Sequence, residues 1–216
     1  MDYAQVDRLQ RKQSGGVMDE DIKHLRKRLA QFKKYGYDIL KERDFALGKA
    51  GFEKGKAILE IGTGRGYMAL TLAQKGFRIT SVDTDRKIQQ SAKAILKHYG
   101  VGDLVCLKLM DAESLRFKDG FFDYVIAVNF MHHAKHPIKC LREMARVAKE
   151  RILIVDVNKR GEAILEMVHA KEGHRHEPSK ITFQEMRAFF RGLKMGVKTY
   201  RSACQTVIVA KKGESK

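Results

Sequence analysis

The stretch from Lys56 to Asp83 constrains this chain more than any other. Lys56-Ala57-Ile58-Leu59-Glu60-Ile61 reads as a short buried strand that runs straight into Gly62-Thr63-Gly64-Arg65-Gly66. Met68, Leu70, Leu72 and Ala73 then predict a helix ending at Gly76. A glycine loop between strand and helix lets backbone approach a ligand, and the helix start offers unpaired N–H groups to an anion. Phe77 to Asp83 reads as the next strand, and Asp83 stands 21 residues after Gly62. A carboxylate at that place accepts hydrogen bonds from ribose hydroxyls, so the pattern points to a nucleoside-containing ligand.

Strand and helix go on alternating. Asp85 to Tyr99 predicts a helix with Ile88, Ala92, Ile95 and Leu96 on one face, stopped by Gly100. Leu104–Leu109 and Phe122–Val128 read as strands, Pro137–Lys149 as a helix with proline in its first turn, and Ile152–Val157 as a fifth strand. Such alternation means parallel strands with helices on both faces. Residues 158–177 are polar, with a short helical stretch around Ala163–Val168. Thr182-Phe183-Gln184-Glu185 is a capping box that opens a helix closing near Gly192. The last two strand-like runs, Lys194–Tyr200 and Ala203–Ala210, are too close in sequence to pair other than as an antiparallel hairpin.

Ahead of all this, residues 1–50 form an N-terminal helical segment, and residues 51–216 the ligand-binding domain. Residues 1–18 read as loosely ordered, with Ser14-Gly15-Gly16 as a joint. From Asp19 to about Leu47, Ile22, Leu25, Leu29, Phe32 and Tyr35 or Gly36 recur at helical steps, and Gly36 divides the run.

Glycine spacing decides between ligands. The dinucleotide fingerprint G-x-G-x-x-G needs a small residue at position 67, where this chain has Tyr67. The string Glu60-Ile61-Gly62-Thr63-Gly64-Arg65-Gly66 instead resembles motif I, E/D-x-G-x-G-x-G, of the class I S-adenosylmethionine-dependent methyltransferases. The resemblance covers residues 55–157 by motif and the C-terminal hairpin by pattern. It implies a three-layer α/β/α Rossmann-like sandwich with a mostly parallel seven-stranded sheet and S-adenosylmethionine as cofactor.

Carried over residue by residue, the resemblance implies several roles. Gly62, Thr63, Gly64 and Gly66 form the loop beneath the methionine part of the cofactor, oriented by Glu60. Asp83, with Thr84 beside it, holds the ribose hydroxyls. Asp111-Ala112 reads the adenine edge, and the Asn129 backbone lines the methyl end. Members similar to the ubiquinone and menaquinone type carry a His-His pair after strand four, which makes His132 and His133 candidates for a base or a substrate contact. The alternative is that one of them packs beneath the loop while the other faces solvent.

The acceptor is not fixed by these motifs. Base-modifying members carry Asn/Asp-Pro-Pro-Tyr/Phe after strand four, whereas this chain has Asn129-Phe130-Met131-His132 and no cysteine nucleophile in that loop. A small-molecule acceptor is therefore expected, with the helical segment that contains Tyr35 and Tyr37 as a lid. An RNA methyltransferase, or a non-catalytic RNA-associated protein that keeps the fold, is the alternative. It draws on the net charge of +17, which points to an anionic partner, nucleic acid first. That excess is spread along the chain, +4 in residues 1–55, +6 in 56–156 and +7 in 157–216, and not gathered in a tail.

The remaining features exclude other classes. No apolar run is long enough to span a bilayer and the N-terminus has no secretory pattern, so a cytoplasmic protein without membrane attachment is expected. Cys106, Cys140 and Cys204 are odd in number and scattered, which speaks against a disulfide framework, and Cys106 and Cys204 are expected to be small buried hydrophobes. His132, His133 and His136 with Cys140, and His169, His174 and His176, lack the spacing of a structural zinc site, so no metal is expected. His174-Arg175-His176 is expected on the insertion that covers the acceptor pocket in this family.

Overall fold

The computed structural model describes residues 20–170 and 179–213. Its strands are β1 (Ile58–Ile61), β2 (Ile79–Asp83), β3 (Val105–Leu109), β4 (Phe122–Val128), β5 (Ala148–Val157), β6 (Gly196–Arg201) and β7 (Gln205–Lys211). They form one sheet in the order β3-β2-β1-β4-β5-β7-β6. The first five strands pair in parallel, and β7 runs antiparallel to both β5 and β6. Chain order reverses between β1 and β4, which opens a crevice at the carboxyl ends of those strands.

Period-two alternation splits the central strands between two cores. Val125 and Ala127 of β4, with Ile152 and Ile154 of β5, face α5 (Pro137–Val147) and α7 (Phe183–Gly192) through Leu141, Met144, Met186 and Phe190. Tyr124, Ile126, Leu153 and Val155 face the other way, towards α2 (Ile39–Ala50) and α3 (Tyr67–Gln74) through Ala46, Leu47 and Leu72. The result is the expected three layers, with the antiparallel hairpin at one edge.

Outside them, α1 (Glu20–Lys34) buries Ile22 and Leu25 against Leu70 of α3 and Ile95 and Leu96 of α4 (Arg86–His98). Phe32 and Tyr37 pack with Ile164, Leu165 and Val168 of α6 (Lys159–Ala170) and with Cys204. Gly36, at φ +85°, does separate α1 from α2. Thr182 and Glu185 make the capping box of α7 as read from the sequence.

The differences have local causes. Ala148 and Lys149 continue β5 and not α5, because pairing of Ala148 with Phe122 and of Arg151 with Tyr124 and Lys211 overrides a helix-favouring sequence. A full helix, α6, replaces the short helical stretch expected around Ala163–Val168. Ile88 is 36% exposed, so the buried face of α4 is Gln89, Ala92, Ile95 and Leu96. Cys106 is exposed, against expectation, because β3 is the edge strand and its residues alternate between partly buried and exposed. Cys140 and Cys204 are buried. The joint at Ser14-Gly15-Gly16 and the stretch His174-Arg175-His176 lie outside the described residues. No helix among the described residues is long and apolar enough to cross a membrane.

Candidate functional site

The glycine loop is built as its composition requires. Gly62, Gly64 and Gly66 have φ of +79°, +49° and +75°, a region in which a Cβ is strained. A Cβ on Gly62 would stand 2.6 Å from Phe130 Cδ2, whereas one on Gly64 would meet nothing within 4 Å. The loop is thus jammed at its base and open above its middle. The amides of Gly62 and Thr63 both donate to the Val82 carbonyl, at 2.9 and 3.0 Å, which seats the loop on β2. Gly66 starts α3 without a side-chain cap, leaving the helix start to the loop.

Beneath the loop runs a buried polar string. Ser81 Oγ donates to Glu60 Oε2 at 2.5 Å and lies 2.7 Å from Thr63 Oγ1, and Gln89 Nε2 donates to the Lys108 carbonyl at 2.8 Å. Glu60 is 2% exposed, and burial pushes its carboxyl up to about 8, opposed by the Ser81 hydrogen bond and by the Arg43 charge. Arg43 is itself buried and donates to the Tyr67 carbonyl at 3.1 Å.

At the ends of β2 and β3 the two expected carboxylates are present. Asp83 Oδ2 accepts from the Gly64 amide at 2.8 Å and Oδ1 from the Asp85 amide at 3.0 Å. Each oxygen keeps acceptor capacity beyond these bonds. Thr84 is exposed beside it. Asp111 is exposed and accepts from the Glu113 amide at 2.8 Å, while Ala112 is buried. Both aspartates therefore cap turns at the carboxyl ends of their strands.

The ends of β4 and β5 carry the residues of greatest chemical interest. Asn129 sits at φ +50°, its amide donating to the Val155 carbonyl at 2.8 Å. His132 Nδ1 lies 2.7 Å from Asp156 Oδ1, and the His132 amide donates to Asp156 Oδ2 at 3.3 Å. Oδ1 of Asp156 also accepts from the Val157 amide at 2.9 Å. A carboxylate only accepts, so the Nδ1 of His132 carries the proton in this pair. His133 is exposed, with its ring centroid 3.9 Å from that of His132. His132 and Asp156 line a cavity of about 670 Å³, whose apolar wall includes Leu165, Ile181, Phe183 and Met186 and whose cations include Arg160 and Arg201.

Sequence reasoning missed three of these side chains. Asp156 interrupts the apolar run Ile152-Leu153-Ile154-Val155, and that acid within a buried strand was the available signal. Gln205 Nε2 donates to Tyr37 Oη at 2.7 Å and reaches Asn129 Oδ1 at 3.5 Å. Neither Gln205 nor Arg43 had a local signal. Tyr37 is 1% exposed and held from both sides, and α1 is tied to the loop by Asp21–Arg65 at 3.1 Å and His24–Tyr67 at 3.0 Å. His169 meets Arg28 at 2.8 Å, and His174 and His176 lie outside the described residues. Among the described residues no group of three His, Cys, Asp or Glu side chains suits a metal ion.

An open glycine loop on a parallel strand, a carboxylate at the next strand end and a switch-point crevice define an α/β protein that takes a nucleoside-containing cofactor. Residues 59–155 match a family model described as a methyltransferase domain. Norajmaline N-methyltransferase of Rauvolfia serpentina is 33% identical over 97 residues, 44% of this chain and 33% of that protein. Phosphatidylethanolamine N-methyltransferase of Cereibacter sphaeroides is 30% identical over 105 residues, 49% and 51% respectively. The YcgJ protein of Bacillus subtilis has the same fold, with a TM-score of 0.66 at 19% identity over 81% of this chain and 99% of that one. The chain spans between a third and about half of the two curated relatives. Over residues 59–155 the chain resembles methyltransferase domains, and its fold is that of a solved S-adenosylmethionine-dependent methyltransferase. The space above Gly64 and the acceptor capacity of Asp83 fit that cofactor.

Proposed function

We propose that this chain methylates a small molecule at an oxygen, nitrogen or sulfur that carries a proton. The observation that carries the reading is His132, oriented by Asp156 on the wall of a cavity of about 670 Å³. That volume lies within the roughly 300–1,000 Å³ of small-ligand sites. The names of the curated relatives, an N-methyltransferase of norajmaline among them, agree with a small acceptor.

S-adenosylmethionine supplies an electrophilic methyl group when bound. Gly62, Thr63, Gly64 and Gly66, on a loop that Glu60 supports from below, cradle its methionine part, and Asp83 with Thr84 holds its ribose. Asp111 and Ala112 meet its adenine, and the Asn129 backbone borders the methyl end. His132 takes the acceptor's proton, and Asp156 stabilises the imidazolium formed. Such a positioned base contributes about 10²–10⁴-fold. His133, exposed beside it, contacts the acceptor. Helix α1, fixed to the loop through Arg65 and Tyr67, closes the cofactor side as a cover.

Calorimetric titration with S-adenosylmethionine, with NAD as control, tests the first half. Transfer of labelled methyl to a panel of small phenols, amines and thiols tests the second. Binding of S-adenosylmethionine alone, label on a small acceptor, and loss of transfer in His132→Ala with cofactor affinity kept are expected. Label appearing only on RNA would replace the small acceptor with the alternative substrate.

A further inference from the structure

A second groove, of about 1340 Å³, lies far from the strand ends just described. Register shows where. Asp156 of β5 pairs with Thr206, which pairs with Arg201, at the site end of the hairpin. The groove instead includes Arg151, Lys211 and Gly196, aligned across the same three strands at their opposite end. On this face α2 lies over β5 and β7, so Tyr200 and Val209 remain half-buried as the groove floor and Lys198 stands exposed between them and the rim.

Five cationic side chains from separate elements converge there. Lys49 comes from the end of α2, Arg191 from the end of α7, Lys194 from the following turn, Lys198 from β6 and Lys211 from β7. Among the described residues no carboxylate lines the groove. Arg151 belongs to the wall, since it donates to the Ala50 and Gly51 carbonyls and faces Glu53 at 3.7 Å. Like charge gathered along one groove raises its potential and attracts an anionic occupant.

We infer that this groove binds the sugar-phosphate backbone of a nucleic acid, apart from the methyl-transfer site and without depending on it. Four of the five cations are lysines, compact point charges suited to phosphate, whereas carboxylate recognition favours the arginine fork. A concave channel suits a strand and not a flat bilayer. The Tyr200 ring carries the Lys49 ammonium 5.2 Å from its centre, so it is not offered to a base for stacking. Contacts of this kind position a strand without reading its sequence.

Anisotropy of a labelled poly(U) RNA, titrated in rising salt, tests the inference. Five phosphate contacts on a single strand give a slope of log affinity on log salt of about −3.5, a loss of about a hundredfold between 50 and 200 mM. Lys49→Ala, Arg191→Ala and Lys198→Ala together should bring the slope to about −1.4 and the loss to about sevenfold. An equal change of charge elsewhere, Arg78→Ala with Lys93→Ala and Lys97→Ala, should leave the wild-type slope. Both triple variants change exposed residues, and their S-adenosylmethionine affinity should stay at the wild-type value. Equal weakening in the two variants would mean net charge alone, and a flat salt response would mean no phosphate contact. Binding to phosphatidylserine vesicles but not to RNA would give the groove to a membrane. Any of these three results overturns the inference.

Discussion

Two carboxylates in the site differ in what surrounds them, and each difference predicts a measurement. Asp83 is partly exposed and holds the loop through the Gly64 amide while facing the crevice. Asp83→Ala should weaken S-adenosylmethionine binding at least about tenfold (~1.4 kcal/mol) by calorimetry, and an unchanged affinity would remove the ribose role. Glu60 is buried, and its carboxyl is raised from an ordinary 4.5 to about 8. Between those values the folded chain keeps a proton that the unfolded chain releases, so stability falls as pH rises through the window. Glu60→Gln should remove that part of the slope. Urea unfolding of the two proteins across pH 5 to 8 should show the mutant gaining on the wild type, whereas parallel curves would mean that Glu60 does not titrate there.

At the scale of elements, the start of α6 is wedged against the hairpin. Asn158 Oδ1 accepts from the Arg160 and Gly161 amides at 3.0 Å, and a Cβ on Gly161 would stand 2.1 Å from the Cys204 carbonyl oxygen. Gly161→Ala should therefore cost about 3 kcal/mol in thermal or urea unfolding, at the upper end of overpacking. Gly192→Ala, where a Cβ meets nothing within 4 Å, should be neutral or gain about 0.5 kcal/mol and serves as control. This wedge was invisible in the sequence, because its partners lie 43 residues apart and share no periodic pattern. What could be read was local: the glycine loop, Asp83, the capping box and the alternation of β4 with its neighbours. Asp156 was within reach as an acid in an apolar strand, but its partner His132 lies 24 residues away. The start of β5 was misread because Ala148 and Lys149 favour a helix until strand pairing at Ala148 and Arg151 draws them into the sheet.

For the whole molecule, the reversed strand β7 places chemistry on both ends of one hairpin. Its Gln205–Thr206 end borders the candidate acceptor cavity, and its Lys211 end borders the basic groove. Part of the charge excess that looked evenly spread in sequence becomes local in space, since Lys49, Arg191, Lys194, Lys198 and Lys211 come from distant segments. The same strand also closes a contact among three remote stretches of chain, in which Gln205 reaches Tyr37 and Asn129, 168 and 76 residues away. A polypeptide emerging from the ribosome makes Tyr37 and Asn129 long before Gln205 exists to join them. Until β7 slots between β5 and β6, the Tyr37 hydroxyl and the Asn129 amide lack that bridge. Ligand competence should thus arrive late and all at once during synthesis, as a property of the finished sheet and not of its amino-terminal half.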